Sequence, residues 1–469
     1  MSNRNGYSTV TRNGDVSFWW ADLGGTPTPR PAVTRDHAVD VAIVGAGFTG
    51  LWTAHALHEA DPSLRIALIE QRFAGFGASG RNGGWLTGEF GWSRERLAQA
   101  AGADAVLALQ QHLIDSVDEV IAVAATHGID ADIVKAGALR VATAPAELTR
   151  LRAAIAHEAD WGLADGDSVW IDAGELRSRI VIADALAADW SPHAARIQPA
   201  KLVRGLAEVI EGQGVQIFEG SPVTRIEPHR VITSRGVVSA DVVIRATEGF
   251  TARLPGSRRD WLPMNSAMIV TAPLTDRQWA AIGWDGCEVV GDMAHAYCYA
   301  QRTRDGRIAI GGRGIPYRFG SRLDTDGRTQ ERTIALLRQM LIRLFPTLAG
   351  IEIDHAWCGV LAVPRDWCPS VAFDARTGLA WAGGYVGTGV AASNLAGRSL
   401  AALITGGSGP LTELAWVDHS VRRWEPEPLR WLGARGLYML YRAADRREHR
   451  SARNRTSVLA RAADVVAGR

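Results

Sequence analysis

The sequence predicts an α/β fold that opens with a parallel βαβ unit, and three consecutive segments near the N-terminus carry this prediction. Residues 39–44 are a short, β-branched, apolar run, which is typical of a strand buried on both faces. Residues 48–59 have a helical pattern, which Asp61-Pro62 ends. Residues 65–69 are predicted to form a second strand, so one helix joins two strands that run parallel.

Length and composition indicate an ordinary globular chain with more than one domain. The 469 residues suggest two or three domains, and hydrophobic residues make up 47% against 22% charged residues. The net charge of +1 gives no overall attraction to nucleic acid, so no such partner is expected. Residues 1–15 have no apolar signal-peptide segment, and no apolar run is long enough to span a membrane. These features predict a cytoplasmic protein.

The four cysteines argue against two classes of structural site. Cys287, Cys298, Cys358 and Cys368 form no CxxC pair. Zinc sites use closely spaced cysteines, and disulfide frameworks belong to short, cysteine-rich chains. We therefore expect no bound metal and no disulfide framework.

The rest of the chain alternates between predicted helices and strands. Helices are predicted over 93–125, 144–159, 199–211 and 329–345, with another ending near 403, and strands over 137–142, 215–218, 222–226, 237–244, 296–300, 308–311 and 379–382. Residues 1–36 are predicted to be an irregular, proline-containing arm, which Phe18, Trp19 and Trp20 clip onto the main body. Residues 416–469 are rich in Trp and Arg and are predicted to be helical.

A glycine motif lies between the first strand and the first helix. Residues 45–50 are Gly-Ala-Gly-Phe-Thr-Gly, where Gly45 permits the tight turn, Gly47 lets the backbone approach a pyrophosphate, and Gly50 allows helix–strand packing. The helix N-terminus then faces the phosphates. Glu70 follows Gly50 by twenty residues, where a carboxylate accepts hydrogen bonds from ribose hydroxyls. The sequence thus predicts a Rossmann-like dinucleotide site.

Two further glycine-rich segments show which dinucleotide is expected. Residues 75–84 are Gly-Phe-Gly-Ala-Ser-Gly-Arg-Asn-Gly-Gly, and residues 383–389 are Gly-Gly-Tyr-Val-Gly-Thr-Gly. Both resemble segments of the D-amino-acid oxidase-like family of FAD-dependent oxidoreductases, and the first is particularly similar to the gamma-glutamylputrescine oxidase-like branch. Further segments resemble that family in the same order along the chain: 196–202, 221–223, 243–249 and 365–369.

The resemblance implies a domain organisation and a cofactor. The expected fold is a Rossmann-like FAD-binding domain built from separated segments, with an inserted, sheet-containing substrate domain. The predicted domains are an arm at 1–36, an FAD-binding domain at 37–92, 190–262 and 355–412, a substrate domain with helices at 93–189 and 263–354, and a helical C-terminal segment at 413–469.

The resemblance also implies which residues hold the FAD. They are Gly45, Gly47, Phe48, Thr49, Gly50, Glu70, Gln71, Gly77, Ala78, Ser79, Arg81, Asn82, Gly83, Gly84, Val223, Thr247, Gly384, Tyr385, Gly387, Thr388 and Gly389. Ser79 is expected at the pyrophosphate, and Gly83 and Gly84 where the chain passes the isoalloxazine ring. The helix after residues 387–389 would direct its positive end towards the flavin pyrimidine, where reduced flavin is negatively charged.

The family's chemistry implies oxidation of a C–N bond in an amine or amino acid. Hydride passes to the flavin, water hydrolyses the resulting imine, and oxygen or another carrier reoxidises the flavin. Some related oxidases place a lysine near the flavin, but Lys135 and Lys201 are the only lysines and neither lies in the later substrate strands. The alternatives are a flavin monooxygenase that uses NAD(P)H and a non-catalytic flavin-binding protein.

Candidate substrate residues lie in the later predicted strands. Tyr297 and Tyr299 alternate along a strand and therefore share a face, which lines a pocket or packs across the sheet. Met264 and Arg313 are further candidates for the pocket, and Asn265 and Arg302 are weaker ones.

Cys358 raises the question of covalent flavin attachment. Sarcosine oxidase-like relatives attach flavin to a cysteine in the corresponding segment, but alignment to Cys358 requires a one-residue shift. One residue along a strand turns a side chain to the opposite face. We therefore predict non-covalent FAD.

Overall fold

The computed structural model describes residues 10–312, 317–323, 326–450 and 453–467, with only the backbone of 465–467. The strands are β1 (Arg12–Asn13), β2 (His37–Val44), β3 (Ile66–Ile69), β4 (Trp85–Thr87), β5 (Ala138–Ala142), β6 (Val169–Asp172), β7 (Ala187–Ser191), β8 (Ala194–Arg196), β9 (Gln216–Phe218), β10 (Val223–Glu227), β11 (Arg230–Thr233), β12 (Val237–Arg245), β13 (Leu262–Thr271), β14 (Val289–Asp292), β15 (Cys298–Arg302), β16 (Ile308–Gly312), β17 (Ile353–Val363), β18 (Ser370–Asp374) and β19 (Leu379–Gly383). The α-helices are α1 (Phe18–Asp22), α2 (Phe48–Ala60), α3 (Arg94–Ala101), α4 (Ala103–Thr126), α5 (Pro145–Asp160), α6 (Ala173–Arg179), α7 (Pro199–Gly212), α8 (Asp276–Ile282), α9 (Glu331–Leu344), α10 (Gly389–Ile404), α11 (Leu429–Arg450) and α12 (Val458–Ala467).

The first sheet has eight strands and confirms the predicted βαβ unit. Its parallel part runs β19-β12-β2-β3-β9. The hairpin β10-β11 lies antiparallel to the first half of β12, and β18 lies antiparallel to β19. Because the carboxyl ends of the parallel strands meet at one edge, the loops that follow β2, β3, β12 and β19 are brought together there.

Helices α2 and α10 lie against each other beside this sheet. A Cβ atom on Gly397 would stand only 2.7 Å from the Thr53 backbone nitrogen and from the Trp52 carbonyl carbon. Only glycine permits this approach, which brings the N-terminus of α10 close to that of α2.

The second sheet has nine strands in the order β1-β17-β13-β16-β15-β14-β5-β7-β6. Strands β13 and β17 are antiparallel neighbours from the pair Leu262–Val363 to the pair Val270–His355. Residues from 355 onwards are predicted to belong to the FAD-binding domain, whereas β17 is a strand of this second sheet. The division into domains remains a prediction, but this strand connects the two halves of the molecule.

The N-terminal arm is more ordered than its prolines suggest. Its β1 pairs with β17, and its Phe18–Asp22 segment forms the short helix α1. Trp19 and Trp20 are each 1% exposed, and Trp19 Nε1 donates to the Asn82 carbonyl at 2.8 Å. The aromatic cluster thus clips the arm onto the body, as predicted, and its burial explains a helix too short to be predicted from pattern alone.

Two helical regions refine the predictions. The expected helix over 93–125 is divided into α3 and α4, because Gly102 adopts a φ of +86° between them. The predicted helical C-terminal segment contains α11 and α12, which pack against each other. Within the described residues, no helix combines the length and apolarity needed to cross a membrane.

Candidate active site

A cavity of about 340 Å³ opens where β2, β3 and β12 end. It is lined by Val44, Gly45, Gly47, Phe48, Thr49, Ile69, Glu70, Gln71, Arg72, Phe76, Gly77, Ala78, Ser79, Val223, Ala246, Thr247, Glu248, Phe250, Arg253, Leu254 and Val360. We call it the dinucleotide cavity, because the residues predicted for the adenosine and pyrophosphate lie together along it.

The first glycine motif has the geometry that a close backbone approach requires. Gly45 has a φ of +106°, and a Cβ there would lie 2.6 Å from the Ala246 carbonyl oxygen. A Cβ on Gly47 would lie 2.9 Å from Ser79 Oγ, at the cavity wall. A Cβ on Gly50 would lie 2.0 Å from the Gly45 carbonyl oxygen, so Gly50 serves packing and does not line the cavity.

The N-terminus of α2 faces this cavity. The Phe48 amide donates to Ser79 Oγ at 2.8 Å, which ties the two glycine segments together. The first N–H groups of a helix have no intrahelical acceptor, and they carry the positive end of its dipole. The end of α2 therefore favours an anionic group in the cavity.

Glu70 lies at the end of β3, on the cavity wall beside Gln71. Its two carboxylate oxygens accept the amide N–H groups of Ala46 and Arg72, each at 3.0 Å. Burial raises the pKa of the Glu70 carboxyl, and these backbone N–H groups act in the opposite direction. The carboxylate is thus fixed in orientation at the position predicted for ribose recognition.

A second cavity of about 180 Å³, the aromatic cavity, continues from the first. It is lined by Phe48, Thr49, Ala78, Ser79, Arg81, Asn82, Gly83, Trp85, Thr87, Glu89, Glu248, Ser266, Tyr297, Tyr299, Gly359, Val360, Leu361, Tyr385, Gly387, Thr388, Gly389, Val390 and Ser393. The walls common to both cavities are Phe48, Thr49, Ala78, Ser79, Glu248 and Val360. The N-terminus of α2 is therefore where the two spaces meet.

The structure brings both predicted tyrosines to the aromatic cavity. Their ring centroids are 6.5 Å apart. The Tyr299 hydroxyl hydrogen bonds with Ser266 Oγ at 2.8 Å. Its ring lies against two glycines, since a Cβ on Gly83 or Gly311 would approach within 2.8 or 2.3 Å of it. Tyr299 is thus held by packing and by the hydrogen bond with Ser266.

The last glycine segment forms a loop that opens α10 at the aromatic cavity. Gly387 has a φ of +119° and Val386 a φ of 59°, so the turn is left-handed at both residues. The Tyr385 hydroxyl hydrogen bonds with Thr49 Oγ1 at 3.1 Å, which joins the loop to α2. Two helix N-termini, those of α2 and α10, consequently face the same space.

Glu248 was missed by the sequence analysis, although it follows Thr247 directly. Its carboxylate accepts the amide N–H groups of Ala362 at 2.9 Å and Tyr385 at 3.2 Å. Burial raises the pKa of this carboxyl to about 7. Its φ is 41°, a strained value for a residue with a side chain. Glu248 therefore links the end of β12 to β17 and to the last glycine loop, where both cavities meet.

The other missed residues come from β4 and from the second sheet. Trp85, Thr87 and Glu89 alternate along the chain directly after the second glycine segment, and all three line the aromatic cavity. That alternation could have identified these three residues from the sequence. Ser266 and Val360 gave none, because their position depends on the pairing of β13 with β17.

Some predicted site residues lie elsewhere. A Cβ on Gly84 would lie 1.7 Å from Gln301 Nε2 and one on Gly384 would lie 2.5 Å from Pro364 Cγ, so both glycines serve packing beside the cavities. Met264 is corrected, because it lines a separate cavity of about 110 Å³ against α11. Arg302 donates to Asp285 Oδ1 at 2.9 Å, at the surface. Arg313 lies outside the described residues.

Cys358 lies in the core of the second sheet, where it is 2% exposed. Its Sγ donates to the Arg328 carbonyl at 3.4 Å. Neighbouring residues 359–361 line the aromatic cavity, whereas Cys358 does not appear among the described residues of either wall.

Both lysines are engaged in ion pairs with aspartates. Lys135 Nζ lies 2.6 Å from Asp118 Oδ1, and Lys201 Nζ lies 2.8 Å from Asp132 Oδ1. Neither lysine is among the described residues that line the two cavities.

The residues present fit an FAD molecule laid across both cavities. Side chains on Gly45 and Gly47 would fill the passage, a carboxylate stands at the end predicted for the ribose, and the α2 N-terminus stands between the two spaces. Such an N-terminus is suited to a pyrophosphate. The contact of each residue with FAD remains a prediction.

Comparison with known proteins agrees with this geometry. The chain is 28% identical over 412 residues to the gamma-glutamylputrescine oxidoreductase of Escherichia coli K12, which covers 86% of this chain and 92% of that protein. It is 22% identical over 404 residues to the sarcosine oxidase subunit beta of Rhodobacter capsulatus, covering 84% and 89%. The structure resembles glycine oxidase from Geobacillus kaustophilus with a TM-score of 0.69 and 22% identity, over 82% of this chain and all of that one.

A family model also matches most of the chain. It is described as FAD dependent oxidoreductase and matches residues 40–403, which span the first sheet, both cavities and most of the second sheet. From its sequence and its fold, the chain belongs to the family of FAD-dependent oxidoreductases.

Proposed function

We propose that this enzyme oxidises a C–N bond of a small amine or amino acid, with FAD in the dinucleotide cavity and the substrate in the aromatic cavity. The observation that carries the proposal is the common wall at the N-terminus of α2. A dinucleotide extending past that wall brings its far end to Tyr297 and Tyr299. The names of the relatives support the reaction class, because they are oxidoreductases of gamma-glutamylputrescine, sarcosine and glycine.

The chain's residues supply orientation and exclusion of water. Bound FAD would supply the acceptor for a hydride from the carbon next to the substrate nitrogen, and water would hydrolyse the imine formed from the substrate. Trp85 donates from its indole nitrogen to the Ala300 carbonyl at 3.2 Å, and its ring meets Tyr299 edge-on at 6.3 Å. This aromatic wall limits the positions that a substrate can occupy. The N-terminus of α10 favours negative charge at the opposite wall.

We propose that the FAD is bound without a covalent link. Burial of Cys358 in the core of the second sheet supports this proposal. Acid precipitation of the yellow protein is expected to leave the colour in the supernatant, for the native chain and for Cys358→Ser alike. Colour that stays in the native pellet and is lost in Cys358→Ser would contradict non-covalent binding.

The electron acceptor and the location are also proposals. Both lysines are paired with aspartates, so the enzyme has no lysine placed to assist the reaction of flavin with oxygen. The proposed electron acceptor is therefore either oxygen or another carrier. We propose a cytoplasmic location, which the four free cysteines support.

Anaerobic mixing of the FAD-loaded enzyme with primary amines, N-methyl amino acids and amino acids tests the reaction. At least one of these compounds is expected to bleach the flavin absorbance without NAD(P)H, because the electrons come from the substrate. Bleaching only by NAD(P)H would indicate a monooxygenase. If no compound and no nicotinamide bleached the flavin, a non-catalytic flavin-binding protein would be the better description. Oxygen uptake by the enzyme with a compound that bleaches the flavin then shows whether oxygen is the electron acceptor.

A further inference from the structure

One side chain of the aromatic cavity is an acid that the proposed reaction does not use. Glu89 is exposed, whereas the other acid of this wall, Glu248, is largely buried and bonded to backbone amides. Alternation from β4 onwards places Glu89 on the same side as Trp85 and Thr87. Its own amide donates to Thr87 Oγ1 at 3.2 Å, which holds this turn of chain. Glu89 therefore presents an accessible side chain to the aromatic cavity.

Charged side chains of both signs surround Glu89. Desolvation inside the cavity raises the pKa of the Glu89 carboxyl above its ordinary value; the nearby charges of Arg140 and Arg94 lower it, and those of Glu158 and Asp189 raise it. Together with Glu89, these side chains are three acids and two arginines. In the described part of the chain, no side chain forms an ion pair or a hydrogen bond with the Glu89 carboxylate.

Both arginines near Glu89 donate hydrogen bonds to other residues. Arg140 Nη1 donates to Glu158 at 2.8 Å and its Nε donates to Asp189 at 2.9 Å. Arg94 lies over the Phe90 ring, 4.6 Å from its centroid, and donates to Gln110 Oε1 at 2.6 Å. In the described part of the chain, Glu89 is therefore left without an ion-pair partner.

The aromatic wall beside Glu89 is also suited to a cation. The rings of Trp85, Tyr297 and Tyr299 line the same space, and aromatic faces attract ammonium groups. One arginine occurs in the described lining, Arg81, and its Nε donates to the Phe76 carbonyl at 2.7 Å. Its guanidinium lies over the Phe76 ring at 4.3 Å. The described wall therefore places a carboxylate beside aromatic rings.

We propose that Glu89 binds a second, non-reacting ammonium group of the substrate, so that the enzyme selects diamines over amines whose far end is a carboxylate. This proposal rests on the proposed amine oxidation. The reacting nitrogen must be neutral to release a hydride from its neighbouring carbon, whereas the distant nitrogen stays protonated in water. The Glu89 carboxylate binds that distant charge and fixes the length of the chain between the two nitrogens.

The kinetic test compares three compounds of one chain length with the FAD-loaded enzyme: cadaverine, pentylamine and aminovalerate. The native enzyme is expected to prefer cadaverine. Glu89→Gln, which keeps the shape and removes the charge, is expected to lower kcat/KM for cadaverine about tenfold or more through KM. In this variant, kcat/KM for pentylamine should be unaffected, and kcat/KM for aminovalerate should rise. An equal effect on cadaverine and pentylamine, or none, would overturn the proposal.

A binding measurement separates this proposal from the proposed reaction. The probe is a diamine whose nitrogen-bearing carbons carry no hydrogen, so it cannot be oxidised, and its affinity for the FAD-loaded enzyme is measured by calorimetry. Weaker binding to Glu89→Gln supports the proposal even if no amine bleaches the flavin, and unchanged binding contradicts it. Glu95→Gln is the matched control, because Glu95 is a nearby acid paired with His157 outside the cavity, and it should bind the probe as the native enzyme does.

Discussion

The two cavities that meet at α2 are built by different means. The dinucleotide cavity is shaped mainly by backbone: glycines that allow close approach, a helix N-terminus and a carboxylate held by two amides. The aromatic cavity is shaped by side chains from β4, β13, β15 and the last glycine loop. Backbone sites tolerate no added bulk, whereas side-chain sites can lose one group and keep their shape. The two cavities should therefore respond differently to substitution.

The largest effect is expected from Gly47→Trp, which places an indole where a Cβ alone would lie 2.9 Å from Ser79 Oγ. We expect complete loss of FAD, measured as the flavin absorbance of purified protein. Gly166→Trp is the matched control, because no atom lies within 4 Å of a Cβ at that exposed position. Stoichiometric FAD in Gly47→Trp would show that the backbone of this cavity does not hold the cofactor.

The second effect concerns Glu248, which belongs to both cavities. In the folded FAD-free protein burial raises the pKa of its carboxyl from 4.5 to about 7, so folding keeps a proton that the unfolded chain loses. Its contribution to the free energy of unfolding should fall as the pH rises through this window, by on the order of 3 kcal/mol.

Urea unfolding of the native chain and of Glu248→Gln, across a series of pH values in that window, measures this contribution. The native chain should lose stability relative to the variant as the pH rises, because glutamine does not titrate. A constant difference between the two proteins would show that Glu248 keeps an ordinary pKa and is not the buried link between the cavities.

The third effect is expected from Glu70→Ala at the ribose end of the dinucleotide cavity. Loss of a charge-assisted hydrogen bond worth roughly 1.5–3 kcal/mol should weaken FAD binding about ten- to a hundred-fold. The dissociation constant is measured by quenching of FAD fluorescence. Glu59→Ala, at the exposed end of α2, is the control. Unchanged affinity in Glu70→Ala would remove Glu70 from the FAD site.

The smallest effect is expected from Tyr299→Phe in the aromatic cavity. The variant loses the hydrogen bond with Ser266, and its ring stays packed on Gly83 and Gly311. We expect kcat/KM for the best amine to fall about threefold to tenfold, with full FAD content.

Tyr441→Phe is the matched control for this change. Its hydroxyl bonds with Asp464 at 2.7 Å in the C-terminal helices, away from both cavities. Loss of FAD from Tyr299→Phe would mean that the two cavities are not separable in the way their construction suggests.

Elements with strong local signals were predicted well. The pattern of residues 39–69 predicts β2, α2 and β3 almost to the residue, because a buried strand, a glycine turn and a helix all depend on neighbours in sequence. The N-terminal arm was predicted less well from its prolines. They predict irregular chain, whereas tertiary burial of Trp19 and Trp20 produces a helix at α1.

The substrate candidates show where local reasoning ends. Alternation correctly placed Tyr297 and Tyr299 on one wall, but it gave no reason to separate them from Met264, which faces α11 instead. That separation depends on how α11 packs against the second sheet, and no residue near Met264 in sequence reveals it.

The sequence by itself determined one wall of the dinucleotide cavity, because its first glycine motif, its helix N-terminus and Glu70 lie within one short βαβ unit whose geometry follows from backbone sterics. Only the tertiary structure decided the aromatic cavity. Ser266 and Val360 lie on strands of the second sheet, and the pairing of β13 with β17 and the packing of α10 on α2 bring these strands to the glycine segments. Side-chain chemistry at such a site depends on contacts between residues far apart in the chain, which local pattern does not contain.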